Sequence, residues 1–329
     1  MRSCPHLAAR SAARPWTRPP LPILLLLPLI LPLLILTTAP GCSRTDAAYV
    51  QEIDAWHARR IQNLRSDTGW LTLVGLHPLH EGVNTVGSAE GMDVRLIGKA
   101  PARVGTLTVA GGEVDLEVEP GVEVSVSGDE GSRPTRHETL ASDAEGEPTV
   151  CELGSLLFYV IDRGDDLFLR VKDRQSELLR TFPGIERYPV DAGWRVTAHL
   201  EPFQEGGTVA VPNVLGQTSE SPSPGILLFE LAGRSCHLTP MGEPGEGLFI
   251  VFGDATNGET TDGGGRFLST DPPAADGSVV LDFNKATNPP CAFTPYATCP
   301  LPPAGNILPL AVEAGEKAFG EPQAGSHGR

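Results

Sequence analysis

The chain has 329 residues, with 41 acidic and 25 basic side chains and a formal net charge of −16. Four arginines and no acidic residue precede position 42, so the chain after this segment carries 41 acids against 25 − 4 = 21 bases, a balance near −20. This charge argues against nucleic acid as a partner, because such binding depends on neutralising phosphates. It equally argues against an anionic lipid surface as a direct partner.

The first 41 residues have the pattern of a secretory signal peptide. Four arginines precede the apolar run "LPILLLLPLILPLLIL" (21–36), and small residues follow it. The run has 16 residues, whereas a membrane-spanning helix needs about 20. Pro28 and Pro32 would also interrupt a straight helix. We therefore predict a signal peptide at 1–41 rather than a transmembrane helix.

The signal ends in a possible lipidation site. Ala39-Pro40-Gly41-Cys42 resembles the lipobox of bacterial lipoproteins, with Gly41 and Cys42 at the two decisive positions and departures at Ala39 and Pro40. This resemblance implies lipidation of Cys42 and a protein of the bacterial cell envelope, anchored to the membrane and facing the periplasm or the exterior. The alternative is a signal that stays uncleaved and acts as the anchor itself.

Residues 42–66 are predicted to form an anchor linker and a helix. In the segment 45–66, Tyr49, Ile53, Trp56 and Leu64 recur at helical intervals. Thr45 or Asp46 can cap the start of the helix.

The chain after this helix is predicted to be mostly β. "RVGTLTVAGGEVDLEVEPGVEVSV" and "LLFYVIDRGDDLFLRVKD" alternate apolar and polar residues around glycine-containing turns, and Asn257-Gly258 suits a two-residue hairpin turn. We predict antiparallel sandwich or barrel-like sheets, with a first β subdomain at 67–147 and a second at 148–319. Residues 320–329 are predicted to be a disordered tail.

A proline-rich stretch at 284–306 is predicted to form a rigid lid loop. Its six prolines block helix and deny hydrogen bonds to a sheet, so the stretch must cover a sheet or fill its open end. Cys291 and Cys299 could close the loop with a disulfide, or could instead be small buried groups close together. Metal ligation by this pair is disfavoured because no third ligand lies nearby in sequence.

The usual catalytic signatures are absent from the sequence, including G-x-S-x-G, H-E-x-x-H, S-x-x-K and the P-loop. His77, His80 and Glu81 could in principle bind zinc. Pro78 argues against the helix that would align the two histidines. We therefore expect neither a metal nor a cofactor.

Several long motifs carry a resemblance to a known family. They are "GWLTLVGLHPLHEGVNTVGS", "LRVKD", "YPVDAGWRV", "VFGDATNGETTDGGGRFL", "VEAGEK" and the lid itself. With these motifs the chain resembles, over about 52–317, the bacterial and archaeal family called domain of unknown function 1684. The resemblance implies a β-rich fold and brings no established activity. Thr261 and Thr287 stand where the family pattern leads us to expect tyrosine, and Pro78 where we expect tryptophan.

The resemblance directs attention to polar residues within these motifs. The predicted ligand-binding residues are Arg170, Lys172, Arg195, Asp254, Arg266, Asn284, Lys285, Asn288 and Tyr296. Four of them, three arginines and Lys285, could present positive charge to a small anionic ligand in a groove under the lid. Alternatively, the arginines could pair with Asp173, Asp191, Asp254 and Asp282.

Two other functions remain open at this point. The protein could be an envelope hydrolase that uses Asp254 or Asp282 as a base, or Cys291 or Cys299 as a nucleophile. It could also be a purely structural component of the envelope. A deep site with converging cations would favour binding or catalysis, whereas arginines paired with carboxylates would favour the structural role.

Overall fold

The computed structural model describes residues 45–96, 99–129, 131–144, 146–164, 166–204 and 207–320. Contacts divide the chain into a unit at 1–42 and a unit at 43–329, and every described residue belongs to the second unit. The predicted signal peptide, Cys42 and residues 321–329 of the predicted tail lie outside the described residues. Among the described helices, none is both long and apolar enough to cross a membrane.

The described part of the chain is mostly β, as the alternating sequence patterns predicted. The strands are β1 (Leu73–Pro78), β2 (Gly82–Gly87), β3 (Val94–Arg95), β4 (Gly105–Ala110), β5 (Glu113–Val118), β6 (Val124–Val126), β7 (Arg133–Thr135), β8 (His137–Thr139), β9 (Cys151–Leu153), β10 (Leu156–Arg163), β11 (Asp166–Asp173), β12 (Arg195–Pro202), β13 (Thr208–Pro212), β14 (Thr218–Pro222), β15 (Gly225–Leu231), β16 (Arg234–Leu238), β17 (Phe249–Phe252), β18 (Arg266–Ser269) and β19 (Ser278–Asp282). Nearly all pairings are antiparallel, the exception among these strands being β2 with β3.

Two open sheets share the first hydrophobic core. One has the order β1-β11-β10-β9-β6-β7 and the other β3-β2-β4-β5-β8. Buried residues of both sheets, such as Leu107, Leu116, Phe158 and Val171, belong to one apolar cluster, which makes this part a sandwich. Strands β9 to β11 pair with β1 and β6, so this sheet contains strands from both predicted β subdomains, 67–147 and 148–319.

A second core lies under the sheet of order β16-β15-β12-β19. Its apolar cluster also takes in Phe252 of β17 and Leu268 of β18, and Val312 from the chain beyond the lid. The hairpin β13–β14 forms a separate two-stranded sheet.

Helix α1 (Ala47–Leu64) begins and ends within the predicted 45–66 segment. Asp46 is the N-cap, and its side chain accepts a hydrogen bond from the amide of Ala48 at 3.1 Å. Ile53 and Leu64 of the predicted apolar stripe are fully buried, and Tyr49 and Trp56 are half-buried. A second, five-residue helix, α2 (Glu177–Thr181), follows β11.

The lid at 284–306 contains no strand and only short 3-10 turns, at 283–285 and 290–292. It lies against several other elements. The hydroxyl of Thr294 donates to the carbonyl of Leu73 in β1 at 3.2 Å. Backbone hydrogen bonds join Cys299 to Val214 and Leu301 to Pro212 at the β13–β14 hairpin. The lid therefore covers a sheet, as predicted.

Candidate functional site

Strand β11 alternates between two environments. Leu169 and Val171 belong to the core shared by the two large sheets. Because successive side chains of a strand point to opposite faces, Arg170 and Lys172 lie on the other face of the six-stranded sheet. There, Arg170 is directly opposite Tyr159 of β10 in the antiparallel register. Two of the predicted ligand-binding residues are therefore neighbours on one face.

The side chain of Arg170 is enclosed, since the residue is only 5% exposed. Its Nη2 atom donates to the hydroxyl of Thr298 in the lid at 3.1 Å. The guanidinium carbon lies 5.6 Å from the centroid of the Trp70 ring, within the range of a cation–π interaction. Its Nε atom is buried and has no hydrogen-bond partner. Arg170 can thus donate to one more acceptor.

Lys172 shares the Trp70 ring with Arg170. Its Nζ atom lies 5.7 Å from the ring centroid of Trp70 and 5.7 Å from that of Tyr159. It donates a hydrogen bond to the backbone carbonyl of Thr68 at 2.5 Å. Burial, together with the neighbouring positive charge of Arg170, lowers the pKa of Lys172 to about 8. Part of the Lys172 population therefore carries a neutral amine at slightly alkaline pH.

Neither of these cations is paired with a carboxylate among the described residues. Asp173 follows in sequence but lies on the opposite face, where it accepts from Lys99 at 2.7 Å. Burial opposes ionisation of Asp173, but the hydrogen bonds from Lys99 and from the amide of Gln175 lower its pKa overall. Buried charges in proteins are ordinarily paired, so a buried, unpaired Arg170 with the half-buried Lys172 beside it is unusual.

Thr298 ties the lid to this cluster. Its hydroxyl oxygen accepts from Arg170 and also from Nε of Arg163 at 3.2 Å. Unlike Arg170, Arg163 forms a salt bridge, with Asp143 at 2.9 Å. We refer below to Trp70, Tyr159, Arg170, Lys172 and Thr298 as the cation cluster.

The two lid cysteines lie close together beside the cation cluster, and the structure holds both as thiols. The amide of Cys291 lies 3.0 Å from Sγ of Cys299. Ala297 and Cys299 pack with Leu73 in a small apolar cluster that Trp70 and Cys291 border. The hydrogen bond between the Cys291 and Cys299 side chains, and then burial, raise the pKa of the Cys291 thiol. The disulfide stays a prediction, while the close approach of the two cysteines is a feature of the structure.

Arg266 and Asp254 form a fully buried ion pair rather than part of a groove. Nη2 of Arg266 lies 2.7 Å from a carboxylate oxygen of Asp254, and both side chains are 0% exposed. Arg266 also donates to the backbone carbonyls of Val312 and Ala314. The second oxygen of Asp254 accepts from the hydroxyl of Thr256 at 2.6 Å. This pair joins β18 to the chain beyond the lid and matches the structural alternative for Arg266.

Arg195 and Lys285 lie at the surface against helix α1. Lys285 donates to Glu52 at 2.7 Å, and Arg195 lies 3.7 Å from the other oxygen of the same carboxylate. The hydrogen bond from Lys285 lowers the pKa of Glu52. The guanidinium of Arg195 also lies 5.3 Å from the centroid of the Tyr49 ring. These two cations share the Glu52 carboxylate, and Lys285 also lies 3.8 Å from Asp282. They do not converge with Arg170.

Asn284 also connects β19 to the helix. Its side-chain amide donates to the hydroxyl of Tyr49 at 3.0 Å and to the carbonyl of Asp191 at 2.9 Å. Tyr49 in turn donates to Asp282 at 2.7 Å. Burial, followed by the hydrogen bond to Asp282, raises the pKa of Tyr49. The network positions the start of the lid.

Asn288 and Tyr296 occupy two further environments. The backbone N–H of the fully buried Asn288 donates to a carboxylate oxygen of Glu316 at 2.6 Å, and Arg60 of α1 contacts both residues. Burial raises the pKa of Glu316 despite the nearby positive charge of Arg60. Tyr296 is 37% exposed at the lid surface. The four cations predicted to converge therefore lie in three separate places.

Three members of the cation cluster were not among the predicted residues: Trp70, Tyr159 and Thr298. The signal for Tyr159 and Trp70 was present in the sequence. Tyr159 shares the alternating hairpin pattern with Arg170, and Trp70 belongs to the motif "GWLTLVGLHPLHEGVNTVGS". The place of Thr298 depends on a contact across 128 positions, for which the local pattern gives no signal.

His77 and His80, the histidines considered for zinc binding, lie on or next to β1. His77 faces the sandwich core beside Gly75, and burial lowers its pKa. Across the part of the chain that the structure describes, no three His, Cys, Asp or Glu side chains cluster as metal ligands would.

Comparison with known proteins gives a family but no activity. The model of the family described as "Protein of unknown function (DUF1684)" matches residues 180–317 and confirms the predicted resemblance over that range. Among curated proteins, none matches the chain significantly. A solution NMR structure of an uncharacterised protein from Haloarcula marismortui is 31% identical, with a TM-score of 0.36, and the alignment covers 43% of this chain and 80% of that one.

Proposed function

The chain belongs to the DUF1684 family through residues 180–317, and from the geometry of the cation cluster we propose that the protein binds a small anionic ligand under its lid. The matched segment supplies the lid and Thr298, whereas Arg170 and Lys172 precede it. The proposal therefore rests on the contacts of these two side chains rather than on the family.

One observation carries the proposal: the buried Arg170 and the adjacent, half-buried Lys172 have no carboxylate partner in the described structure. In a medium less polar than water, their mutual repulsion is stronger than at the surface, and an anion between them would remove it. The unpartnered Nε of Arg170 supplies a donor for such an anion. Charge-assisted hydrogen bonds of this kind are about twice as strong as neutral ones.

The cluster also suits a ligand of limited size. Both cationic groups lie within 6 Å of the centroid of the same Trp70 ring, and we propose that one small anion contacts both. Thr298 closes the cluster from the lid side, at hydrogen-bond distance from Arg170. Small carboxylates and inorganic phosphate fit this description.

The observed contacts do not favour the hydrolase alternative. Asp254 is held in a buried ion pair, and Asp282 accepts from Tyr49. The raised pKa of Cys291 disfavours the thiolate that a cysteine nucleophile requires. The structural role remains the competing proposal, and it predicts that Arg170 and Lys172 are indifferent to anions.

Isothermal titration calorimetry of the full-length protein, purified in detergent, tests the proposal with acetate, pyruvate and phosphate as probes. We expect saturable binding of at least one probe, weakened tenfold or more in Arg170→Gln and Lys172→Gln. Arg195→Gln is the matched control, because Arg195 also lies over an aromatic ring but is exposed and near a carboxylate. Binding that is absent, or equal in all variants, would contradict the proposal.

Proton uptake on binding provides a second test of the proposal. A bound anion favours the charged form of Lys172 and raises its pKa from about 8. At pH 8 to 9, binding should therefore take up protons, and the measured enthalpy should depend on the ionisation enthalpy of the buffer. Lys172→Gln should lose this buffer dependence. A wild-type enthalpy that is the same in all buffers would contradict the assignment of Lys172 to the site.

We also propose that the protein acts at the bacterial cell envelope, held to a membrane by acylation of Cys42. The support is the sequence pattern of the first 42 residues. Cys42→Ser should release the protein from membranes or leave its precursor uncleaved, as seen by fractionation and intact-mass measurement. Unchanged membrane attachment after removal of the signal would contradict the lipoprotein assignment.

A further inference from the structure

The environment of Lys172 combines the two conditions that activate a lysine amine as a nucleophile: desolvation and a neighbouring cation. The amine lies between the Trp70 and Tyr159 rings, and Arg170 is two residues away on the same face of β11. Its hydrogen bond in the described structure is to a backbone carbonyl, that of Thr68. No carboxylate holds it in the charged form.

The other lysines of the chain differ from Lys172. The sequence contains four lysines, at positions 99, 172, 285 and 317. Lys99 and Lys285 form salt bridges with Asp173 and Glu52. Lys317 lies over the Tyr188 ring at 5.2 Å. Lys172 is therefore the lysine whose surroundings favour the neutral amine.

Resting on the proposed function, we infer that the anion of this site is a small 2-oxo acid whose carbonyl carbon forms an imine with Nζ of Lys172. Arg170 would bind the carboxylate with its free Nε, beside the reacting carbon. A carbonyl and a carboxylate on adjacent carbons suit two cationic side chains that share one aromatic ring.

The reaction balances without an oxidant, a reductant or a further reactant. The lone pair of the neutral amine attacks the carbonyl carbon, and the π electrons of the C=O bond move to oxygen. The nitrogen loses its protons to that oxygen, which leaves as water while the C=N bond forms. The imine then takes up one proton and can donate it to the Thr68 carbonyl, as the amine does in the free protein.

The side-chain surroundings set the pH at which attack occurs. The groups facing Nζ are Arg170 on β11, the ring of Tyr159 on β10, the Trp70 ring and the Thr68 carbonyl. Of these, Arg170 carries a charge that opposes protonation of the amine. Imine formation should accordingly rise between about pH 7 and pH 9.

The test is reductive trapping on the full-length protein. Protein in detergent is incubated with pyruvate and sodium cyanoborohydride at pH 8, digested, and mapped by mass spectrometry. We expect a secondary-amine adduct at Lys172, at least tenfold above the adducts at Lys99, Lys285 and Lys317. Acetone, which has the ketone without the carboxylate, should label Lys172 at least tenfold less than pyruvate does.

Two variants separate the roles of the side chains. Arg170→Gln should lower trapping by pyruvate at least tenfold while changing trapping by acetone much less. Lys317→Arg is the matched control, since it removes a lysine over a tyrosine ring without touching the cation cluster, and it should leave trapping at Lys172 unchanged. Circular dichroism of each variant confirms that it is folded.

The outcomes distinguish this inference from the proposal on which it rests. Saturable binding of pyruvate or phosphate by calorimetry without an adduct at Lys172 overturns the imine and leaves anion binding standing. Equal labelling of all four lysines also overturns it. If neither anion binding nor labelling of Lys172 is observed, both proposals are overturned. A Lys172 adduct that depends on Arg170 supports both.

Discussion

Arg266 and Arg170 are both buried arginines on β-strands, yet their surroundings differ. Arg266 has a carboxylate at 2.7 Å and two backbone carbonyls. Arg170 has one threonine hydroxyl and an aromatic ring, with a second cation beside it. The first arrangement pairs a buried charge within the chain, whereas the second leaves the buried charge without a carboxylate in the described structure. Both arginines have a buried Nε atom without a hydrogen-bond partner, so neither burial nor a free N–H alone separates them. The difference is the carboxylate, which Arg266 has and Arg170 lacks among the described residues.

The largest effect that this comparison predicts is at Arg266. Arg266→Met leaves the Asp254 carboxylate buried without its cation and removes donors from two carbonyls. We expect a loss of about 3–5 kcal/mol in the free energy of unfolding, measured by urea denaturation. The double variant Arg266→Met/Asp254→Asn should lose less than the sum of the single variants. A loss below about 1 kcal/mol would contradict the structural role.

Thr298→Val should give the next largest effect. The change keeps the volume of the side chain but leaves Nη2 of Arg170 and Nε of Arg163 without their acceptor. We expect a loss of about 1–3 kcal/mol in stability. Millimolar concentrations of the bound anion should recover part of it, because the anion can accept from Arg170.

Thr294→Val is the matched control for this prediction. Thr294 is also a lid threonine and donates to the Leu73 carbonyl, but it is not hydrogen-bonded to Arg170 or Lys172. Its loss of stability should be independent of the anion beyond the general stabilisation that binding gives. Equal recovery of the two variants would show that Thr298 has no special relation to the site.

Lys172→Met should have a smaller effect, of the opposite sign at neutral pH. The pKa of Lys172 is about 8 in the folded protein and near 10.5 in the unfolded one, so between these values the unfolded state binds more protons. The contribution of this group to stability therefore rises with pH from about 8 to 10.5, and the full cost of burying its charge applies below pH 8. We expect the variant to gain about 1–2 kcal/mol at pH 7 after allowance for partial exposure.

The measurement is the unfolding free energy of both proteins by denaturant titration from pH 7 to pH 10.5. The advantage of Lys172→Met should shrink across this range. A difference that does not change with pH would show that Lys172 is not desolvated as the structure describes.

Arg195→Gln should have the smallest effect. The residue is exposed and lies 3.7 Å from Glu52, and surface pairs of this kind contribute about 0–1 kcal/mol. We expect a change in stability below about 0.5 kcal/mol by the same denaturation assay. A loss of unfolding free energy as large as that of Arg266→Met would contradict the view that the exposed Arg195 contributes less to stability than the buried Arg266.

Local patterns predicted the elements that depend on neighbouring residues. The spacing of Tyr49, Ile53, Trp56 and Leu64 predicted a helix, which lies at 47–64. Alternation predicted the β10–β11 hairpin and hence placed Arg170 and Lys172 on one face. The six prolines of the lid predicted a segment without strand or long helix that lies against a sheet, and the structure agrees.

The partners of the charged side chains could not be predicted in the same way. Whether an arginine meets a carboxylate depends on contacts between distant segments, such as Arg266 with Val312 or Arg60 with Glu316. We predicted that four cations would share one groove: Arg170, Arg195, Arg266 and Lys285. That prediction assumed that residues from separate family motifs form a single site. Three of these cations instead meet acidic residues, and only Arg170 belongs to the cation cluster.

The long sequence separation between Arg170 and Lys172 and the residues they contact has a consequence for folding. Lys172 contacts Thr68 across 104 positions, and Arg170 contacts Thr298 across 128. Topologies with such distant contacts fold slowly, because loop closure precedes the contacts that reward it. A nascent chain cannot complete the cluster before residue 298 has been synthesised and the lid has docked. Acquisition of anion binding should therefore be among the last events of refolding, later than the recovery of β-sheet ellipticity.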